Sequence, residues 1–143
     1  MKAIIRISGL VKMKGKPEEA LDRLRLRKKY TCVLIDDKKP EMAGMLKVVK
    51  DFVAFGEIDE KTLEELLRAR GRKIGDKKAR VEESETAKLA KEILAGKNMI
   101  ELGLKPFFGL HPARGGINSK KNYPKGVLGN HREKINDLIR RML

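Results

Sequence analysis

A chain of 143 residues with 34 Lys and Arg against 20 Asp and Glu carries a formal net charge of +14, so its surface presents a positive potential that attracts polyanions, nucleic acid first among them. No apolar run approaches the roughly 18 residues of a membrane-spanning helix, and the N-terminus lacks the apolar core of a signal peptide, so a soluble, intracellular chain with no membrane partner is expected. A single cysteine excludes an intramolecular disulfide and a cysteine-built zinc cage.

With no Trp, four Phe and two Tyr, the core must be mainly aliphatic, and stacking on unpaired bases cannot be the main mode of binding. Phosphate contacts are left to dominate. The charge is uneven: residues 1–50 carry +8, residues 51–95 carry −1 and residues 96–143 carry +7. Two basic ends around a neutral middle predict separate contact regions on either side of a module that faces solvent or protein.

The opening Ala3 to Ser8 is short, β-branched and closed by Gly9, which predicts a buried strand. Pro17 suits the start of a helix burying Ala20, Leu21 and Leu24, with Arg23, Arg25, Arg27, Lys28 and Lys29 crowding its end. Thr31 to Ile35 reads as a second strand, ended by Asp36 and Asp37. From Pro40, the spacing of Met42, Met45, Leu46 and Val49 predicts a helix with Lys47 and Lys50 on its other side.

Phe52 to Phe55 reads as a third strand, after which Asp59 is placed to cap a helix with Ile58 and Leu63 as its staple. That helix buries Leu63, Leu66 and Leu67 and ends at Gly71. Gly71 to Arg80 is a polar loop. Ser84 is expected to cap the next helix, with Leu89, Ile93 and Leu94 inward and Gly96 as terminator. Leu104 to Leu110 predicts an edge strand because of Pro106. Residues 111–130 are too poor in apolar groups to pack on themselves and should follow another surface. Asn130 and Glu133 then resemble a capping pair for a helix striped by Ile135, Leu138, Ile139 and Met142.

The order β-α-β-α-β with later helices predicts an α/β (α+β) sandwich with helices on one face of the sheet. The expected organisation is a βαβαβ core at 1–58, a helical addition at 59–103, and a final unit at 104–143 holding the edge strand, the basic extended segment and the C-terminal helix.

Chemistry finds little purchase. The Gly71 to Lys78 stretch resembles a phosphate loop but lacks the Gly-Lys-Ser/Thr ending. His111 and His131 have no cysteine partners for a metal and no nucleophile to activate. Asp36 and Asp37 read as a solvated turn before Pro40 rather than a phosphoryl-transfer pair, and Cys32 reads as a packed core thiol. No enzyme, cofactor or small-molecule substrate is expected.

The basic clusters carry more. Gly115 and Gly116 lack Cβ atoms, so backbone amides and the Arg114 fork can approach phosphates closely. Candidate RNA-binding residues are Arg25, Arg27, Lys28 and Lys29 at the first helix end, Lys47 and Lys50 on the second helix, and Arg72 and Lys73 in the polar loop. In the tail they are His111, Arg114, Gly115, Gly116, Lys120, Lys121, Lys125 and Arg132.

Several stretches together resemble a known family over nearly the whole chain: Ile5 to Gly9, Leu24 to Ile35, Gly44 to Asp59, Leu104 to Gly116 and Gly129 to Met142. The resemblance is to the large-subunit ribosomal protein family numbered thirty, in the long form of archaea and eukaryotes, whose eukaryotic counterpart is numbered seven. It implies a ferredoxin-like βαβαβ core, a structural role in the large subunit of the cytoplasmic ribosome, and no catalytic residues. The implied partners are large-subunit ribosomal RNA and neighbouring ribosomal proteins. Phe52 and Phe55 stand where that family commonly has Tyr and Trp, Gly109 stands in place of a usual Arg that would contact RNA, and Ala113 in place of a usual Pro. A free-standing RNA- or DNA-binding regulator is the alternative that composition also allows.

Overall fold

Alternation of side chains along three short strands decides how this chain packs. The computed structural model describes residues 1–9, 15–75 and 78–143. Within it β1 (Lys2–Arg6) lies between β2 (Thr31–Ile35) and β3 (Val53–Glu57), antiparallel to both, with Ile4 opposite Val33 on one side and Phe55 on the other. Because successive side chains point to opposite faces, Ile4, Val33, Ile35 and Val53 look one way, and Ala3, Ile5, Cys32 and Ala54 the other. Both faces are apolar, so both require cover.

The first face is covered by α1 (Lys16–Arg23) and α2 (Pro40–Val49), which bury Ala20, Leu21, Leu46 and Val49 against it, with Leu24 just beyond α1. Pro17 and Pro40 stand in the first turns of these helices, where a missing N–H costs nothing. Since β2 and β3 both run against β1, they are parallel to each other, and α2 carries the chain from one to the other across the central strand. This is the βαβαβ core of the expected ferredoxin-like α+β fold.

The expectation of helices on one face holds only for that core. On the opposite face sit α3 (Glu60–Arg70), α4 (Glu83–Leu94) and α5 (Ile135–Met142), which bury Leu63, Leu66, Leu67, Ala90, Ile93, Ile135, Leu138, Ile139 and Met142. The reason lies in the unbroken run Ala3-Ile4-Ile5: without polar alternation, neither face of β1 can be left wet. Apolar contacts on this side join residues from every part of the chain.

Local starts follow their chemistry with two corrections. The Asp59 carboxylate accepts from the Thr62 N–H at 2.7 Å, and Ile58 and Leu63 are both buried beside it, as expected. Ser84 does not cap α4. That helix begins at Glu83 with Glu82 in the cap position and no side-chain cap hydrogen bond, its acidic first turn suiting the positive end of the helix dipole. Asn130 and Glu133 do not cap α5 either: Asn130 Oδ1 accepts from the Arg132 N–H at 2.9 Å, and a 3-10 turn at Arg132–Lys134 precedes the helix. All four stripe residues of α5 are buried.

The sheet is finished by two short edges. β4 (Phe108–Gly109) pairs antiparallel with β2, and β5 (Gly129–Asn130) pairs parallel with β3, giving the order β4-β2-β1-β3-β5. The edge position fits Pro106, but the strand spans two residues rather than Leu104 to Leu110, because Leu104 bridges Lys73 instead of joining the sheet. The segment 111–130, expected to follow another surface, lies along α5: the His111 N–H donates to the Met142 carbonyl and the Arg114 N–H to the Arg141 carbonyl, while Ala113, Val127 and Leu128 are buried. Three small apolar anchors and backbone pairing suffice where a broad apolar stripe is lacking.

Candidate nucleic-acid interface

The loop from Leu24 to Tyr30 is built from below by a buried arginine. Arg6 interrupts an apolar strand and is 3% exposed. Its guanidinium donates to the carbonyl oxygens of Leu26 at 2.6 Å, Ser8 at 3.0 Å and Gly9 at 3.3 Å. Burial pulls its pKa down and Glu18 opposes the shift. Leu26 itself is fully buried, and Arg25 and Tyr30 adopt φ of 65 and 63, a left-handed backbone that costs a non-glycine residue about 1 to 3 kcal/mol and persists only where surroundings impose it. The Tyr30 N–H closes the loop on the Arg6 carbonyl at 2.7 Å.

With Leu26 pinned inward, Arg25, Arg27, Lys28 and Lys29 project outward and are exposed. Arg25, Arg27 and Lys28 share a cleft of about 490 Å³ with Thr31, Pro106 and Phe107. Arg27 is held by Asp22 at 2.9 Å and Lys29 lies 5.1 Å from the Tyr30 ring centre. Among the described residues, Arg25 and Lys28 have no carboxylate partner.

The second basic group stands on the C-terminal segment. Gly115 and Gly116 have φ of 81 and 77, which only glycine adopts without strain. The turn they make is fastened from α5: Arg141 Nε donates to the Arg114 carbonyl at 3.0 Å and Arg141 Nη2 to the Gly116 carbonyl. Gly115, Gly116 and Lys120 line one hollow, and Gly116, Lys125, Lys134 and Arg141 line part of another. Arg114, Lys120, Lys121, Lys125 and Arg132 are all exposed.

Other expected residues line none of these hollows. Lys47 and Lys50 are exposed at the far end of α2. Lys73 is 3.5 Å from Glu85 and only partly exposed, and Arg72 bridges Arg80 through the backbone. Asp76 and Lys77, within the stretch resembling a phosphate loop, lie outside the described residues. His111 belongs to the fold: its Nε2 is 2.6 Å from the Leu143 carbonyl and its Nδ1 2.6 Å from the Pro112 carbonyl. Whichever ring nitrogen carries the proton, it has a carbonyl of the protein itself as acceptor.

Arg6, Phe107 and Arg141 were not singled out by sequence. A charge inside an apolar strand was the available signal for Arg6. For Phe107 it was the adjacent pair Phe107-Phe108, whose two rings must point to opposite sides of a strand. Cys32 is fully buried, with its pKa pushed up to about 12 by desolvation, so the thiol is inert packing. Buried His131 has its pKa lowered by desolvation, partly offset by its bond to the Val127 carbonyl at 2.6 Å, and its ring lies 4.5 Å from that of Tyr123. Among the described residues there is no group of three potential metal ligands and no helix long and apolar enough to cross a membrane.

A basic α+β module that carries exposed cations on two loops has the surface of a polyanion-binding protein. Comparison with known proteins gives the class its family. Residues 2–53 match the family model described as ribosomal protein L30p/L7e. Over 99% of its length the chain is 45% identical to large ribosomal subunit protein uL30 of Archaeoglobus fulgidus, covering 99% of that protein. It is 43% identical to the Pyrobaculum aerophilum protein of the same name and 41% identical to that of Aeropyrum pernix, covering 93% and 98% of them. The chain belongs to the uL30 family, whose members are ribosomal structural proteins and not enzymes.

Proposed function

We propose that this protein is a structural constituent of the large ribosomal subunit in the cytoplasm and that it holds its place by binding ribosomal RNA through two preformed basic surfaces. One is the α1–β2 loop with Arg25, Arg27, Lys28 and Lys29. The other is the Arg114-Gly115-Gly116 turn with Lys120, Lys121 and Lys125. The observation that carries the reading is that cations are exposed on loops whose backbones are held by other arginines, the buried Arg6 in one case and the exposed Arg141 of α5 in the other. A loop already ordered loses less conformational entropy when it meets its ligand. Each lysine or arginine that neutralises a phosphate releases condensed counterions, so affinity is supplied without base recognition. The nearly neutral α3 and α4 region is left for solvent or for neighbouring ribosomal proteins.

The test is the salt dependence of binding to deproteinised archaeal large-subunit RNA, together with co-sedimentation with the subunit. Log affinity should fall linearly with log salt, by about 0.7 to 0.9 per phosphate contact. The double variant Lys28→Ala/Lys29→Ala and the single variant Arg114→Ala should each flatten that slope. Arg114→Lys should retain the slope but lose affinity, since Lys keeps the charge and not the planar fork. Slopes identical to the parent in every variant would assign these residues to an ordinary solvated surface.

A further inference from the structure

Phe107 is 44% exposed, whereas Phe108, its neighbour in sequence, is 1% exposed. The alternation of an extended chain explains the contrast: Phe108 enters β4 and faces the core beside Cys32, so Phe107 must face out. Among the described residues four large apolar side chains stand exposed, and Phe107 is the one that carries an aromatic ring. The ring is not on neutral ground. It walls the cleft of about 490 Å³ that it shares with Arg25, Arg27, Lys28, Thr31 and Pro106.

An aromatic plane beside cations is the combination by which proteins hold unpaired nucleotides: the ring stacks a base and the cations take the phosphates on either side of it. The alternative occupant of an exposed ring is an apolar side chain of a protein neighbour, but three cations around one ring favour a polyanion. The walls are also fixed. Thr31 is paired to Gly109 across β2 and β4, the Leu110 N–H donates to the Tyr30 carbonyl at 3.0 Å, and Arg6 holds the loop that bears Arg25 and Lys28.

We propose that this cleft receives an unpaired base of the RNA, laid against the Phe107 ring with its phosphates on Arg25 and Lys28. The proposal rests on the reading that the protein binds ribosomal RNA and names the nucleotide conformation that one of its surfaces takes. It gives the chain one site for unpaired RNA among contacts that otherwise see only phosphate.

The full-length protein and its Phe107→Ala, Phe107→Leu and Phe107→Tyr variants are titrated, over a range of salt, with deproteinised archaeal large-subunit RNA and with a perfectly paired RNA duplex. Phe107→Ala and Phe107→Leu should weaken binding to the ribosomal RNA roughly 5- to 100-fold, as loss of one stacked base does, while the salt slope stays that of the parent. Phe107→Tyr should bind as the parent does. On the duplex all four should bind alike. Arg25→Ala/Lys28→Ala, run in parallel, should flatten the slope. If that double variant behaves so while Phe107→Ala binds normally, the phosphate reading stands and the stacking site is overturned. Full binding by Phe107→Leu would reduce the site to an apolar contact and also overturn it. Normal binding to naked RNA with poor incorporation of Phe107→Ala into subunits would assign the cleft to a neighbouring protein instead. A parent protein that fails to bind the ribosomal RNA at all would sink both readings together.

Discussion

The Arg6 guanidinium lies 2.6 Å from the carbonyl oxygen of Leu26, twenty residues away, and so ties the central strand to the basic loop that follows α1. The same group satisfies Ser8 and Gly9. A buried cation is tolerated only when its donors are used, and here the partners are backbone carbonyls of the segments that must be held.

Replacing Arg6 with Met, which fits the apolar surroundings but donates nothing, should cost about 2 to 4 kcal/mol, since at least one buried carbonyl loses a charged donor. Denaturant unfolding reads the loss. RNA binding under native conditions should also weaken, because Arg25 and Lys28 lose their fixed backbone. Arg6→Lys should recover part of the stability and little of the binding, as one ammonium cannot span three carbonyls. Unchanged stability in Arg6→Met would show that the contacts do not hold the loop.

Much of this architecture was legible in the sequence, for reasons that can be named. The three central strands and α2 follow from apolar runs and from Pro40, whose local constraints need no tertiary context. Asp59 was readable as a cap because its side chain bonds within its own turn. What was not legible depends on distant partners. Ser84 has the right residue type for a cap, yet the cap position falls two residues earlier, at Glu82. The docking of 111–130 on α5 rests on backbone pairing with Arg141 and Met142 that no local pattern announces. Nor does any local pattern announce that the ring of His111, a candidate RNA contact in the sequence, lies 2.6 Å from the Leu143 and Pro112 carbonyls. Exposed lysines carry no sequence signal of which phosphate they meet, so the basic loops were visible but their grouping was not.

Gly56 marks how closely the C-terminal unit is pressed on the sheet. A Cβ there would stand 2.2 Å from the Arg132 carbonyl oxygen and 2.8 Å from the Ile135 Cβ, distances at which the turn before α5 must move. Gly56→Ala should therefore destabilise the protein by ~3 kcal/mol or more, measured as a drop in the denaturant midpoint. Ordinary stability would mean that α5 does not seat on β3 in this way.

His131 sets a pH window. Its folded pKa lies below the ordinary value of 6.5 because burial disfavours the imidazolium, so the unfolded chain binds more protons between the two values. Stability is fully present above about pH 6.5 and is lost as pH falls below it. Asp59 acts in a separate range. Partial desolvation raises its pKa, but hydrogen bonding from Thr62 and the charges of Arg140 and Lys61 outweigh this, leaving the net value below 3.8, so its contribution fades only in stronger acid. Unfolding free energy measured from pH 8 to pH 5 should decline for the parent and be flatter for His131→Gln. Parallel curves would place the titration elsewhere.

Gly109 offers a gain rather than a loss. It lies two residues beyond Phe107, on the same side of the extended chain, is exposed, and pairs with Thr31 at the wall of the cleft. Nothing lies within 4 Å of where its Cβ would stand, and its φ is not positive. An arginine there needs no adjustment of the fold and removes the entropic weakness of glycine in a strand, about 0.5 to 1 kcal/mol. Gly109→Arg should therefore bind large-subunit RNA several-fold more tightly, with a salt slope steeper by up to about 0.9, and should melt no lower than the parent. Gly109→Lys should show the steeper slope with a smaller gain, because it brings the charge without the planar fork. If neither variant changes affinity or slope, RNA does not pass over this end of the sheet, and the surface around Arg25 and Lys28 has been given the wrong partner.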